Sequence, residues 1–175
     1  MLKPRPRSNY LVPAVILVVV AVALVVALVV GESKPKPPAK PKPLAGTPCG
    51  AYRDDVNVQI GGRVFKTELA KTAGEQAKGL GGRPCIGPNQ AMLFAFSKPG
   101  QYRFWMKDMK FPIDILWIDS AKRVAAQEID VEPSTYHSSN PFFENDPNHL
   151  AQFVLEVKAN ISNDLHITLG TPVTL

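Results

Sequence analysis

Two cysteines and three histidines are all the thiol and imidazole metal ligands that the 175 residues hold. Cys49 and Cys85 by themselves are too few for a structural zinc site. His137 and His149 share a stretch with Glu144 and Asp146, but their spacing matches no ligand pattern. No metal and no cofactor is therefore expected. A glycine-rich phosphate loop, a nucleophile elbow and a zinc-hydrolase motif are all missing. Serines are few, and none has a neighbouring base in sequence. Phosphoryl-transfer, serine-hydrolase and metallopeptidase chemistry thus lose their usual signatures. No internal repeat is present.

Acidic charge is also scarce at one end. Up to residue 46, Lys3, Arg5, Arg7, Lys34, Lys36, Lys40 and Lys42 face Glu32 alone, although the whole chain is only +5. The remainder is close to neutral. The basic character belongs to the N-terminal tail and is no sign of nucleic-acid binding.

Leu11–Val30 lacks any polar residue (LVPAVILVVVAVALVVALVV). At about 1.5 Å per helical residue such a run spans roughly the 30 Å of a bilayer core. Pro13 falls in its first turn, where a missing N–H costs nothing. The hydrophobic part of a cleaved signal is usually about 7–15 residues long, and no persuasive cleavage site follows here. The sequence predicts an uncleaved transmembrane helix over 11–30, preceded by a basic cytoplasmic N-terminus over 1–10. Lysines on both sides leave the positive-inside count close to even, and the short basic flank tips it toward N-terminus inside. The rest of the chain is then expected on the extracytoplasmic side of the cell membrane. Residues 31–48 form a Lys/Pro-rich linker, extended by polyproline geometry and by repulsion among its lysines.

The globular part is expected over 49–175. Val56–Ile60 and Arg63–Thr67 flank Gly61-Gly62, a two-residue hairpin signal. Thr72-Ala73-Gly74-Glu75 has capping-box spacing and starts a short helix reaching about Lys78. Three strands follow: Ala91–Phe96, Tyr102–Met106 and Ile113–Ile118. Ser97-Lys98-Pro99-Gly100 is read as the turn between the first two. Ile113, Ile115 and Trp117 face one way and Leu116 and Ile118 the other, so the last strand requires cover on both faces. Arg123–Ile129, Ala151–Lys158 and His166–Leu175 complete about eight strands, and Asp130–Leu150 reads as one long polar loop. The expected fold is mainly β, a compact antiparallel sandwich or barrel with one short helix.

Ala91-Met92-Leu93-Phe94-Ala95-Phe96, then Phe104-Trp105-Met106-Lys107 and Pro112-Ile113-Asp114-Ile115, resemble a bacterial and archaeal family known as domain of unknown function 192. Gly79-Leu80, Val154-Leu155-Glu156 and Gly170 extend the resemblance to roughly residues 52–175. The chain departs from that pattern at Gly81-Gly82, where Met and an aromatic are usual, at Ala91, and at Asn160, where Gly is usual. The resemblance implies a small mainly-β domain behind a signal or anchor. It implies no established activity, cofactor or catalytic set.

Four residues stand out as candidate ligand contacts. Asp114 interrupts an apolar strand, where an unpaired carboxylate is expensive; a buried acceptor bound to backbone N–H groups is the more economical reading, a pocket carboxylate the other. Trp105, Met106 and Lys107 end a strand and combine an aromatic, a thioether and a cation. Cys49 and Cys85 read as a disulfide in an oxidising compartment and as inert thiols in a reducing one. The leading functional expectation is a membrane-anchored binding or accessory module for a small ligand or envelope partner. The alternatives are a small enzyme using Asp114 with Lys107 or a histidine as acid and base, and a purely structural interaction domain.

Overall fold

The computed structural model describes residues 49–175. The expected basic terminus, transmembrane helix and linker lie outside the described residues. Among the described residues, no helix is long and apolar enough to cross a membrane.

β1 (Val56–Ile60) and β2 (Arg63–Ala70) form the hairpin that the glycine pair announced. Gly61 and Gly62 take φ of +57° and +76°, the positive values that a tight two-residue turn requires. A Cβ on Gly61 would also lie 2.8 Å from the Leu165 Cβ, so that position is closed to larger residues twice over. α1 (Ala73–Lys78) opens with the expected capping box: Thr72 Oγ1 accepts from the Glu75 N–H, and Glu75 accepts from the Thr72 N–H. The Thr72 N–H first, then the Arg53 guanidinium, hold the Glu75 carboxyl down at about 2.

β3 runs over Gln90–Gly100, so the expected turn at Ser97–Gly100 is corrected to strand. The ladder with a later strand breaks between Ala95 and Gly100. That irregularity takes Pro99, which has no N–H to give, out of the pairing. β4 is only Arg103–Phe104, shorter than the expected strand there. β5 (Ile113–Ile118) is buried at every position. β6 spans Val124–Val131, β7 Phe143–Glu144, β8 Ala151–Lys158 and β9 Val173–Thr174, with α2 (Ile161–Asp164) between the last two. The long polar loop expected over 130–150 is therefore corrected as well. It carries a 3-10 turn at Pro133–His137 and the short strand β7, and buried Asn145 ties it down. The Asn145 side chain accepts the Tyr102 N–H and donates to Gly100 O and His149 O.

The fold is mainly β, as expected, but is a curled seven-stranded sheet, half of a barrel, in the order β6-β5-β8-β3-β2-β1-β9, with β4 and β7 as a separate pair. Among the described residues, nine strands replace the eight anticipated. The pair β2–β3 is parallel, with α1 as its crossover; the other paired strands are antiparallel. The two sheet edges approach each other where Val124 N–H meets Thr171 O and Val173 N–H meets Lys122 O.

Both faces of the sheet are covered. Val58, Phe65, Leu93, Leu116, Leu155 and Val157 fill the inside of the curl, closed by Ile161 and Ile167. Met92, Phe94, Ile115, Trp117 and Val154 form a second core on the outer face, under Met106, Leu80 and Ile86. This two-sided cover is why β5 alternates nothing polar with its apolar residues except Asp114.

A candidate ligand pocket with Glu156 at its floor

Direct pairing across the strands places Glu68, Met92, Glu156, Ile115 and Glu128 in one row on the outer face. Glu68 and Glu156 are both buried, at 3% and 4% exposure, and their surroundings differ sharply. Arg83 grips Glu68 with two parallel bonds, Nη1 to Oε1 at 2.8 Å and Nη2 to Oε2 at 2.7 Å. The Arg53 N–H adds a third at 2.9 Å. This fork satisfies the Glu68 charge.

Glu156 has no such arrangement. Its Oε2 is covered and meets no hydrogen-bond partner among the described residues. Burial pushes its carboxyl up to about 8, with the charge of Arg83 pulling the other way. A carboxyl raised that far favours its protonated form at neutral pH. Such buried orphans cost roughly 1–3 kcal/mol.

Glu156 lies at the floor of a cavity of about 270 Å³. The walls are aromatic: Phe94 and Phe104 meet edge to face at 4.8 Å, and Phe96 and Tyr102 stack at 3.5 Å between centroids. β4 supplies Phe104, and its pairing with β7 holds that ring over the sheet. Gly79, which ends α1, borders the carboxyl; a Cβ there would stand 3.8 Å from Glu156 Oε2 and 3.5 Å from the Phe94 ring. Its φ of +48° already disfavours a side chain. Lys78, Trp105 and Lys107 stand at the mouth.

Of the four residues expected as ligand contacts, the fold brings two to this cavity. Trp105 is 41% exposed and leans on Phe142 with ring centroids 5.3 Å apart. Lys107 is exposed on the rim. Met106 points into the outer core at 1% exposure and is packing. Asp114 does not join them. It is on the inner side of the sheet, paired across from Val157, where Oδ1 accepts the N–H groups of Asp130 and Asn160, each at 2.9 Å, and Oδ2 that of Ser162 at 2.7 Å. It is thus the backbone acceptor of the two sequence readings, stitching β6 and the start of α2 to β5. Asn160 adopts φ of +67° to present its N–H, a conformation Asn tolerates better than other side-chain-bearing residues. That backbone explains why glycine suits this position.

The acid–base pair of Asp114 with Lys107 or a histidine is not assembled. Asp114 is fully buried, Lys107 lies across the sheet, and His137, His149 and His166 are exposed. No group of three or more metal-ligating side chains forms among the described residues. Cys49 and Cys85 are joined by a disulfide that spans 36 positions. It secures the start of the domain to the loop that carries Arg83.

Sequence reasoning missed Glu156 itself. The signal was present, because Val154-Leu155-Glu156-Val157 interrupts an apolar strand with a carboxylate just as Asp114 does. What the sequence cannot supply is which of two such acids finds donors.

Among solved structures, a protein of unknown function from Novosphingobium aromaticivorans is 30% identical, with a TM-score of 0.61 over 69% of this chain and 84% of its own. A putative transcription regulator from Sinorhizobium meliloti is 25% identical, with a TM-score of 0.59 over 67% of this chain and 91% of its own. No curated protein matches. Residues 56–175 match the family DUF192, described as an uncharacterized ACR. With the curled sheet and these matches together, the chain belongs to the DUF192 family.

Proposed function

We propose that this protein is a membrane-tethered, extracytoplasmic binding module whose pocket takes a small, largely apolar ligand through Glu156. One observation carries the pocket: a buried carboxyl with an unpartnered oxygen, at the floor of an aromatic cavity. A core that served stability alone would have an apolar residue there, or a fork like the one on Glu68. Retaining an uncompensated acid is the trade of stability for function seen at binding sites. The supports for tethering are the apolar run Leu11–Val30 and the Lys/Pro linker that follows it. The Cys49–Cys85 disulfide fits an oxidising compartment.

Glu156→Leu tests the pocket. If the carboxyl is held there against its own cost, the variant unfolds at a higher temperature than wild type, by the equivalent of about 1–3 kcal/mol. A variant that melts several degrees lower would make Glu156 a structural residue and end the reading. Membrane fractionation tests the tether. The chain should stay in the membrane pellet through a high-salt wash; release as a soluble fragment beginning near Glu32 would show a cleaved signal instead.

A further inference from the structure

We propose that the Glu156 pocket selects a small organic acid. Its carboxylate would rest among Lys78, Lys107 and Lys110, its single apolar ring between the aromatic walls, and a hydroxyl or carbonyl at its far end against Glu156. The proposal rests on the pocket reading above and names the ligand's charge and shape.

The mouth sets the charge. Beside the aromatic cavity lies an adjoining hollow that shares Lys78 and Lys107 and adds Asp108 and Lys110. All three lysines are exposed, and none forms an ion pair among the described residues. Among the described residues, Asp108 is the single acid lining this hollow. Arg103, also at the cavity, is engaged by Glu144 at 2.8 Å. The rim is therefore net positive with its lysine charges unspent, which draws in an anion and opposes a cation. The walls set the body. The edge-to-face pair Phe94–Phe104 and the stacked pair Phe96–Tyr102 offer π faces and edges and no charge. A volume of about 270 Å³ is just below the range of drug-sized sites and suits one ring. The floor sets the tip. Glu156 lines the floor, and its Oε2, covered and unpartnered in the ligand-free fold, would be met by a polar far end of the ligand once the side chains over it give way.

The test uses the full ¹⁵N-labelled chain in a non-ionic detergent and four matched probes followed by ¹H–¹⁵N spectra. 4-Hydroxyphenylacetate has the acid, the ring and the hydroxyl; phenylacetate lacks the hydroxyl; p-cresol lacks the acid; tyramine replaces it with a cation. The expected result is shifts centred on Gly79, Phe94 and Phe104, with tyramine about tenfold weaker than 4-hydroxyphenylacetate, as opposite rim interactions of under a kcal/mol each imply. In the exposed triple variant Lys78→Ala, Lys107→Ala, Lys110→Ala the acid should bind no better than p-cresol. In Glu156→Leu the hydroxyl should lose its advantage over phenylacetate. Binding of tyramine or p-cresol as tight as the acid would overturn the acid class and leave the pocket standing. No shift from any probe at millimolar concentration would overturn the proposal, while the Glu156→Leu melting comparison decides the pocket reading separately.

Discussion

Replacing Glu156 with Gln should change how stability depends on pH. The wild-type carboxyl is at 4% exposure and is pushed up to about 8, against 4.5 for a free glutamate. Because the folded value lies above the unfolded one, the unfolded chain loses this proton first as pH rises. The residue's contribution is fully present below pH 4.5, declines between 4.5 and about 8, and is constant beyond. At about 1.4 kcal/mol per unit the span is on the order of 5 kcal/mol, reduced by whatever water enters the pocket. Gln keeps the shape and has no proton to lose. Glu128 is also raised by burial, but both proteins carry it, so the difference between them isolates Glu156. The assay is urea unfolding of the full chain at pH 5, 6, 7 and 8, followed by the fluorescence of Trp117, which is fully buried. The two proteins should match near pH 5, and the Gln variant should be several kcal/mol more stable at pH 8. Parallel profiles across that range would refute the reasoning, because they would mean the carboxyl is solvated or partnered in the folded state.

Other perturbations have equally definite outcomes. Asp114→Asn keeps one acceptor but turns an N–H₂ toward a backbone N–H donor, and should cost about 1–3 kcal/mol in a melt; a variant melting at or above wild type would contradict the capping role. Arg83→Met leaves Glu68 buried and held only by the Arg53 side of its network, and should cost about 3–5 kcal/mol, read by the same unfolding assay. Replacing Cys49 and Cys85 by Ser opens a loop of 36 positions, for which chain entropy gives about 3–4 kcal/mol; non-reducing peptide mass spectrometry checks that the bond exists in the native compartment.

Much of the fold is legible because its signals are local. β1 and β5 appear where period and turn residues put them, and the Thr72–Glu75 box starts α1 where its spacing says. The misreadings have physical causes. Ser97–Gly100 has turn composition, yet β8 holds the segment extended around an irregularity that frees Pro99 from the ladder. β7 is two residues long, too short to show a period, and exists through its pairing with β4. The parallel pair β2–β3 needs a crossover, and a six-residue helix read from its cap alone does not disclose that it crosses over. For the site, the strand-end aromatic and lysine were visible, whereas the fates of the two interior acids were not. The Asp114 donors lie 16 to 48 positions away, and that Glu156 Oε2 meets no donor among the described residues is a property of the assembled fold alone.

The central claim is that Glu156 is buried at the floor of the pocket with an unpartnered Oε2. Its side-chain carboxyl ¹³C shift, followed across pH in the ¹³C-glutamate-labelled full chain and assigned by comparison with Glu156→Gln, tests that claim most directly. One glutamate resonance should titrate with a midpoint near 8 and disappear in the Gln variant. A midpoint for that resonance in the ordinary glutamate range, near 4.5, would contradict it.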